Sequence, residues 1–212
     1  MMNTREGLLL ALKQADDWVS GEELSRDFSM SRTAIWKHME KLREEGYSIE
    51  SSPRKGYRIS GSDLIIPSAL REALAGRTFG GQGTSFRRRT VSTNVEARRL
   101  AEEGAPEGTL VVAECQDGGR GRRGRIWFSP PGGGLYFSFI LRPRLAPAEA
   151  AKITLLASVS TAEVLARQTG LTARIKWPND ILVNGRKIAG LLAEISTEPD
   201  SINYVVLGIG LN

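Results

Sequence analysis

The sequence contains very few of the residues that build disulfides and most protein-held transition-metal sites. Among 212 residues there is one cysteine, Cys115, and one histidine, His38. A single cysteine excludes an intramolecular disulfide, and this pair cannot supply a His/Cys metal site of ordinary spacing. Because no histidine lies near Cys115 in the sequence, we interpret it as a small buried apolar residue and not as a nucleophile.

Long apolar segments are also missing. No apolar run approaches the roughly 20 residues that a membrane-spanning helix needs, and residues 1–6 do not form the hydrophobic segment of a secretory signal. Apolar residues make up 41% of the chain and charged residues 25%, which is typical of globular proteins. We therefore expect a cytoplasmic protein of one or two domains that does not associate with membranes.

Charge is distributed unevenly along the chain. Residues 1–60 carry ten Lys or Arg and ten Asp or Glu, so the whole net charge of +5 belongs to the remainder. An excess of positive charge favours anionic partners, but the first sixty residues have no such excess. Nucleic-acid binding by this first part must therefore depend on a local basic surface.

Residues 1–62 show the pattern of a winged helix-turn-helix domain. Apolar periodicity and capping signals predict three helices and a two-stranded hairpin, over residues 3–13, 20–28, 32–45 and 48–59. Ser20 and Glu23 form a capping box at the start of the second helix. Ser31 caps the third helix, and Gly46 ends it.

In a winged helix-turn-helix, the third helix and the hairpin tip are the parts that approach DNA. The residues that we expect on this surface are Arg32, Thr33, Trp36, Lys37, Lys41, Arg54 and Lys55, with Arg58 beside them. Alternatively, the basic residues of the helix pair with acidic neighbours on a solvated face, and Trp36 is partly packed in the core. The additional basic residues of the hairpin favour DNA contact.

Residues 63–212 form the second expected domain, and we place the boundary near residue 62 in a short polar segment. The expected helices cover residues 69–75, 93–103 and 148–169, and the expected strands cover residues 85–89, 109–114, 134–142, 173–177, 181–183, 186–196 and 204–209. Asn184-Gly185 is the preferred type I′ hairpin turn. The predicted fold class is α+β, a mixed β-sheet with helices packed on one side.

An arginine-glycine loop follows the strand at residues 109–114. Residues 118–125 read Gly-Gly-Arg-Gly-Arg-Arg-Gly-Arg. Glycine allows backbone N–H groups to approach a ligand closely, and arginine binds carboxylates and phosphates through two parallel hydrogen bonds. Disordered tracts of similar composition bind nucleic acid nonspecifically, but this one continues directly into the apolar segment 126–128. The pattern therefore favours an ordered loop that binds an anion.

Seven motifs in this order resemble bacterial biotin protein ligases, specifically the bifunctional type that also represses biotin operons. They are Ser31-Arg32-Thr33-Ala34-Ile35-Trp36-Lys37-His38, Lys55-Gly56-Tyr57, Ser92-Thr93-Asn94, the loop at 119–125, Lys176-Trp177-Pro178-Asn179-Asp180, Arg186-Lys187-Ile188-Ala189-Gly190 and Gly208-Ile209-Gly210-Leu211-Asn212. Each motif alone is weak evidence, but their order and spacing are specific. The resemblance implies the class II synthetase-like fold of biotin and lipoate ligases.

The resemblance implies an enzyme that makes biotinyl-5′-AMP from biotin and ATP with Mg²⁺. Biotin-binding residues are then expected at Ser92, Thr93, Asn94, Gln116, Arg120, Gly121, Arg122, Lys187 and Gly190. Residues for ATP and catalysis are expected at Arg122, Trp127, Lys176, Asn179, Asp180 and Asn212, with the metal near Asp180, which is also a candidate base. The implied partners are the biotin carboxyl carrier protein of acetyl-CoA carboxylase, operator DNA and a second copy of the chain, bound when adenylate is present.

Simpler interpretations exist for several of these residues. Ser92, Thr93 and Asn94 are typical helix caps, Trp127 is typical of a protein core, and Asn179-Asp180 is typical of a turn. Two other functions also remain open, a biotin-sensing regulator without catalysis and a lipoate ligase. Finally, members of the family continue into a small SH3-like barrel after the last motif, whereas this sequence ends there, so we expect either a truncated chain or a variant that dispenses with the barrel.

Overall fold

The computed structural model describes residues 3–15, 17–60 and 64–212. The chain divides into two compact units, Met1–Ala73 and Leu74–Asn212. The domain boundary that we expect near residue 62 falls among residues 61–63, outside the described residues, and it stays a prediction. Ile66 and Ala69 pack on the core of the first unit, which explains why the compact units divide after Ala73 and not near residue 62.

The first unit is built from three helices, a hairpin and a fourth helix. These elements are α1 (Thr4–Gln14), α2 (Gly21–Asp27), α3 (Arg32–Glu44), β1 (Ile49–Ser52), β2 (Gly56–Ile59) and α4 (Pro67–Leu74). The Ser20 hydroxyl accepts a hydrogen bond from the backbone N–H of Glu23 at 3.0 Å, as the capping box predicts. Gly46 has a φ of +94°, which ends α3. The predicted helix-turn-helix is confirmed.

The hairpin is attached to the helices through backbone hydrogen bonds. β1 and β2 pair antiparallel, and Val19 exchanges two backbone hydrogen bonds of 2.8 Å with Tyr57 of β2. Leu8, Ile35 and Met39 are fully buried between the helices. The hairpin therefore has a fixed position beside α3, as a winged helix-turn-helix requires.

The second unit contains two long helices and a seven-stranded sheet. Its elements are β3 (Thr84–Thr90), α5 (Thr93–Glu102), β4 (Leu110–Gln116), β5 (Leu135–Leu141), α6 (Ala151–Thr169), β6 (Ala173–Lys176), β7 (Asp180–Val183), β8 (Arg186–Thr197) and β9 (Ile202–Leu211). The strand order is β3-β4-β5-β9-β8-β7-β6. Only the β3–β4 pair is parallel, so the sheet is mixed, as we predict from the sequence.

The two long helices lie on opposite faces of the sheet. Ala97 of α5 packs in a cluster with Val206 of β9, whereas Ala162 of α6 packs in a cluster with Leu207. Successive residues of a strand point to opposite faces, so these two clusters are separated by the sheet. This corrects the expectation that the helices pack on one side, and it leaves part of the α5 face open for a site.

Cys115 lies near the end of β4 and is buried. Its thiol donates a hydrogen bond to the carbonyl of Arg88 at 3.2 Å, and burial raises the pKa of the thiol. A raised pKa reduces the fraction of reactive thiolate, so the apolar interpretation of this residue fits its surroundings. Separately, none of the helices within the described ranges combines the length and apolar content needed to cross a membrane.

Candidate functional site

A pocket of about 660 Å³ lies in the second unit, on the α5 face of the sheet. All fourteen residues that the resemblance assigns to biotin or ATP line it: Ser92, Thr93, Asn94, Gln116, Arg120, Gly121, Arg122, Trp127, Lys176, Asn179, Asp180, Lys187, Gly190 and Asn212. Segments that are up to 120 residues apart in the sequence therefore meet at one place. The individual role of each residue stays a prediction.

Three glycines form the floor of this pocket. Gly190 of β8 and Gly210 of β9 are register partners, and Gly208 lies two residues before Gly210 on the same face. A methyl group at Gly190 would lie 2.8 Å from Cζ3 of Trp127, and one at Gly210 would overlap the Trp127 indole. The floor therefore has no side chains of its own, and the Trp127 indole packs closely on it at Gly190 and Gly210 while the Asn94 side chain covers Gly208.

A hydrogen-bonded wall stands beside the glycine floor. The backbone N–H of Thr93 donates to Gln116 Oε1 at 2.8 Å. Ser138 Oγ lies 2.8 Å from Thr93 Oγ1 and 2.7 Å from Asn94 Oδ1. Ser92 occupies the N-cap position of α5 but makes no capping hydrogen bond with its side chain. The capping interpretation thus fails for the Ser92 side chain, and the wall presents several polar groups to the pocket.

The arginine-glycine loop is an ordered turn at the pocket mouth. The backbone N–H of Gly121 donates to the carbonyl of Arg125 at 2.8 Å, and Arg123 has a φ of +57° at the tip. Nη1 of Arg122 donates to Asn179 Oδ1 at 3.2 Å, which links the loop to the segment after β6. The arginine side chains themselves are exposed, so they remain accessible to an anion.

Trp127 lies between this loop and the glycine floor. Its neighbours Ile126 and Phe128 are 85% and 74% exposed, whereas its own indole faces inward. The indole nitrogen is buried and has no hydrogen-bond partner within the described residues. After it, Asn212 Nδ2 donates to the carbonyl of Phe128 at 3.2 Å, which holds the segment against the sheet. Trp127 therefore packs on backbone that could instead contact a ligand.

An ion pair borders the floor. Nζ of Lys187 lies 2.7 Å from Oδ1 of Asp180 and 4.9 Å from the centre of the Trp127 ring. Lys176, at the end of β6, is an exposed second ammonium that lines the same pocket. Two lysines and two or more arginines thus surround one pocket, an arrangement that can neutralise two anionic reactants.

The residues near Asp180 supply few ligands for a metal ion. The part of the chain that the structure describes contains no group of three or more His, Cys, Asp or Glu that could hold a metal. Mg²⁺ in nucleotide sites, however, is typically held by one or two carboxylates together with substrate phosphates. Asp180 supplies one such carboxylate, so the donor set fits a metal ion that arrives with a nucleotide.

The surface of α3 in the first unit matches the predicted DNA-contacting surface in part. Thr33 and Lys37 are exposed, and Trp36 is 52% exposed, which argues against a core role. Arg32 pairs with Glu22 at 2.7 Å, and Lys41 pairs with Glu44. The alternative of a salt-bridged helix face thus describes Arg32 and Lys41, whereas Lys37 has no ion pair within the described residues.

The hairpin tip places basic groups around one aromatic ring. Lys55 Nζ lies 5.9 Å and the Arg58 guanidinium 4.9 Å from the centre of the Trp18 ring. Arg58 also pairs with Glu50 at 2.8 Å, while Arg54 is exposed at the turn. Arg54 and Lys55 are therefore presented to solvent, as the sequence predicts.

Two residues that hydrogen-bond to the polar wall are not indicated by the motifs. Ser138 is fully buried, and Glu194 accepts a hydrogen bond from Asn94 Nδ2 at 2.7 Å. A hydroxyl group in the middle of the otherwise apolar strand β5 is a signal that could have identified Ser138. Glu194 gives no such signal, because acidic residues are ordinary in the outer positions of strands.

Comparison with known proteins identifies both units. Residues 86–212 match the model of the biotin/lipoate A/B protein ligase family. Residues 4–58 match the model of an HTH domain. The two matched regions correspond to the pocket-bearing unit and to the winged helix-turn-helix.

Individual relatives match nearly the whole chain. The bifunctional ligase/repressor BirA of Bacillus subtilis strain 168 is 42% identical over 210 residues, 98% of this chain and 64% of the relative. The protein of the same name from Escherichia coli K12 is 36% identical over 99% of this chain and 64% of the relative. A solved biotin protein ligase from Aquifex aeolicus in complex with biotin and ATP is 35% identical, with a TM-score of 0.51 over 62% of this chain and 52% of the other. The chain thus spans 64% of the length of these bifunctional relatives.

Proposed function

This chain belongs to the biotin/lipoate A/B protein ligase family, and from that premise we propose that it forms biotinyl-5′-AMP from biotin and ATP and passes the biotinyl group to a carrier-protein lysine. One observation carries the proposal. All fourteen residues expected to bind biotin or ATP line a single pocket. The carrier domain of acetyl-CoA carboxylase is the proposed acceptor, because relatives include biotin--[acetyl-CoA-carboxylase] ligases.

The first step brings two anions together. A carboxylate oxygen of biotin attacks the α-phosphorus of ATP, the bond to the β-phosphate oxygen breaks, and pyrophosphate leaves. Opposite charges about 4 Å apart gain about 4 kcal/mol at an effective dielectric constant of 20, so nearby cations favour this encounter. We propose that Lys187 beside the floor and Arg122 in the loop, which line the same pocket, neutralise the carboxylate and the α-phosphate. Mg²⁺ bound with ATP would neutralise further phosphate charge.

The bicyclic ring of biotin is proposed to lie on the glycine floor. Its ureido group is neutral and polar, and an unpaired polar group in such a slot costs about 1–3 kcal/mol. The wall formed by Ser92, Thr93, Asn94 and Gln116 supplies donors and acceptors for it. Trp127 lies at the boundary between this slot and the loop, where its indole can stack on adenine.

In the second step the lysine amine of the carrier attacks the acyl carbon of the mixed anhydride, and AMP leaves. The amine must lose a proton, because its ordinary pKa is near 10.4. Asp180 is the candidate base within the pocket, although its carboxylate is already paired with Lys187 in this structure. Release of Lys187 toward the reacting anions would leave this carboxylate available to accept the proton.

The first unit is proposed to bind operator DNA, so that the protein also represses transcription in response to biotin. The HTH match and the exposed basic groups of α3 and the hairpin support this role. Adenylate binding is proposed to favour a two-fold dimer on a palindromic site. Linkage then requires DNA to strengthen adenylate binding as much as adenylate strengthens DNA binding. The cytoplasmic location expected from the sequence stays a prediction.

Adenylate formation is tested by biotin-dependent exchange of radioactive pyrophosphate into ATP. We expect exchange with the wild-type chain, and we expect Lys176→Ala to slow it about 10-fold, a limited loss because an exposed cation is screened by salt. Arg167→Ala, at an exposed site on α6, is the matched control and should exchange like the wild type.

The same assay separates the alternatives. A biotin sensor without catalysis would bind biotin in a titration but show no exchange. A lipoate ligase would exchange with lipoate, and lipoate would compete with biotin for the wild-type protein. Unchanged exchange by Lys176→Ala would refute the assignment of this lysine to the phosphates.

DNA binding is tested by reversing one charge on α3. Lys37→Glu should weaken binding to a duplex from the promoter of the host's biotin-synthesis genes by about 10-fold or more, and it should lower the dependence of log affinity on log salt by about one phosphate contact. Fluorescence anisotropy at several salt concentrations, with biotinyl-5′-AMP present, measures both.

Lys13→Glu is the control for this experiment, since it makes the same charge change at an exposed position of α1, which is part of neither α3 nor the hairpin. Equal losses in the two variants would show that only overall charge matters. A normal affinity for Lys37→Glu would exclude α3 as the DNA-contacting surface.

A further inference from the structure

Glu194 lies on β8 behind the polar wall and is not among the residues that line the pocket. Its carboxylate accepts a hydrogen bond from Asn94 Nδ2 at 2.7 Å. Asn94 is only 4% exposed, and the carbonyl of Leu192 is the second acceptor of its amide group, at 3.4 Å. Glu194 therefore contacts the biotin-binding wall from outside.

The carboxylate determines which way the Asn94 amide faces. An ionised carboxylate only accepts hydrogen bonds, so the Asn94 atom nearest to it must be the NH₂ group. Asn94 Oδ1 then faces Ser138 Oγ at 2.7 Å. Because Oδ1 has no proton, the single hydroxyl proton of Ser138 must be used in this contact.

The direction of the remaining hydrogen bonds follows from that constraint. Ser138 Oγ lies 2.8 Å from Thr93 Oγ1, and its proton is already used, so Thr93 donates its own hydroxyl proton to Ser138 and not to Gln116 Oε1, which lies 3.2 Å from Thr93 Oγ1. The orientation of the Gln116 amide is fixed in the same manner, because the backbone N–H of Thr93 donates to it and the acceptor, 2.8 Å away, must be Oε1. The Thr93 hydroxyl consequently presents lone pairs, and no proton, to the pocket.

We propose that Glu194 is a positioning residue for biotin, which acts through Asn94 and Ser138 to keep the Thr93 proton away from Gln116 Oε1, so that this oxygen can accept a hydrogen bond from a ureido N–H group. This inference rests on the proposed function. If Glu194 could not accept a hydrogen bond, Asn94 could turn, Ser138 would donate to Thr93, and the Thr93 hydroxyl would donate to Gln116 Oε1, 3.2 Å away. That oxygen already accepts from the Thr93 backbone N–H, so both of its lone pairs would be occupied and none would remain for biotin.

The inference is tested by two substitutions of Glu194 that differ in their ability to accept. Glu194→Gln keeps an acceptor oxygen and should bind biotin within about 3-fold of the wild type. Glu194→Met has a similar length but no such oxygen, and it should weaken biotin binding by about 10- to 100-fold. Calorimetric titration with biotin and, separately, with ATP measures both affinities, and ATP affinity should not change. In pyrophosphate exchange, KM for biotin should rise with little change in kcat.

A double-mutant cycle separates positioning from a general structural effect. In an Asn94→Ala background the relay is already broken, so Glu194→Met should cause no further loss of biotin affinity. The matched control Glu198→Met makes the same chemical change at an exposed position beyond β8 and should bind biotin normally. Should Glu194→Met fail to fold, Ser138→Ala breaks the same relay and should raise the KM for biotin with little change in kcat, and wild-type biotin affinity in this variant would overturn the proposal.

The proposal is overturned if Glu194→Met binds biotin as the wild type does, if Glu194→Gln loses as much as Glu194→Met, or if the losses multiply in the Asn94→Ala background. Failure of the proposed function gives a different result. In that case the wild-type chain itself shows no calorimetric response to biotin.

Discussion

Lys187→Met is expected to slow biotin-dependent pyrophosphate exchange by about 10²- to 10³-fold, the loss typical when one group that stabilises developing charge is removed. Nζ of Lys187 lies 2.7 Å from Asp180 and beside the glycine floor, where we propose that the biotin carboxylate meets the α-phosphate. Methionine keeps the length and apolar contacts of the side chain but removes the charge. The exchange rate at saturating biotin and ATP measures the effect.

The expected loss at Lys187 exceeds that at Lys176 for a structural reason. Removing Lys187 leaves the Asp180 carboxylate without this partner at the place where we propose that two further anions bind, so one substitution both removes a cation and exposes an anion. Lys176 is exposed, and the solvent around it screens its charge, so its removal should cost less than the removal of Lys187.

Lys152→Met is the matched control, because Lys152 also pairs with a carboxylate, Glu149, but lies on α6 at the opposite face of the sheet. It should exchange at the wild-type rate. A rate for Lys187→Met within a factor of a few of the wild type would show that this lysine does not stabilise the reacting anions. Biotin binding measured in parallel reveals whether the loss lies in binding or in chemistry.

The winged helix-turn-helix could be predicted well from the sequence because its signals are local. Ser20, Ser31 and Gly46 mark helix ends through hydrogen bonds and backbone angles that involve residues only a few positions away. Such interactions depend little on the rest of the fold. The helix boundaries accordingly agree within one or two residues.

The arrangement of the sheet could be predicted less completely. Strand β9 lies at the centre between β5 and β8, and both faces of its middle are buried, so Val206 and Leu207 give no alternation that would indicate which helix covers which face. The placement of α5 and α6 on opposite faces depends on this long-range packing. Local sequence patterns do not contain that information.

The set of pocket residues could be inferred from the motifs, but the contacts among them could not. Glu194 and Asn94 are separated by 100 residues, and Ser138 and Asn94 by 44. Whether such side chains meet is decided by the strand order and register. The glycine floor could be inferred in part. Gly208 and Gly210 are two residues apart in one strand, so both lie on the same face of the sheet and leave that face without side chains.

The glycine floor leads to the second large expected effect. Gly210→Ala should weaken biotin binding by about 10- to 100-fold, and Gly210→Val by more than 100-fold, because added methyl groups would occupy the space taken by the Trp127 indole or by the ligand ring. Gly210 pairs with Gly190 across the sheet, so the added atoms would lie in the centre of the floor. Calorimetric titration with biotin measures the loss, and thermal unfolding shows whether the fold is retained.

Gly83→Ala is the control for the glycine substitution. A methyl group there would lie 3.5 Å from Thr109 Oγ1, an ordinary contact, and Gly83 is outside the pocket. This variant should bind biotin like the wild type. The two alanine variants make the same chemical change, so a difference between them reports the position and not the general cost of losing a glycine.

The series also distinguishes between two positions of the biotin ring. If the ring packs directly on the floor, Gly190→Ala should weaken binding about as much as Gly210→Ala, because the two glycines are neighbours on adjacent strands. If the ring lies above Trp127, each alanine weakens binding only by displacing the indole, which its methyl group would overlap at Gly210 and approach to 2.8 Å at Gly190. In a Trp127→Ala background neither alanine should then weaken biotin binding further, whereas a ring that packs directly on the floor would still lose affinity.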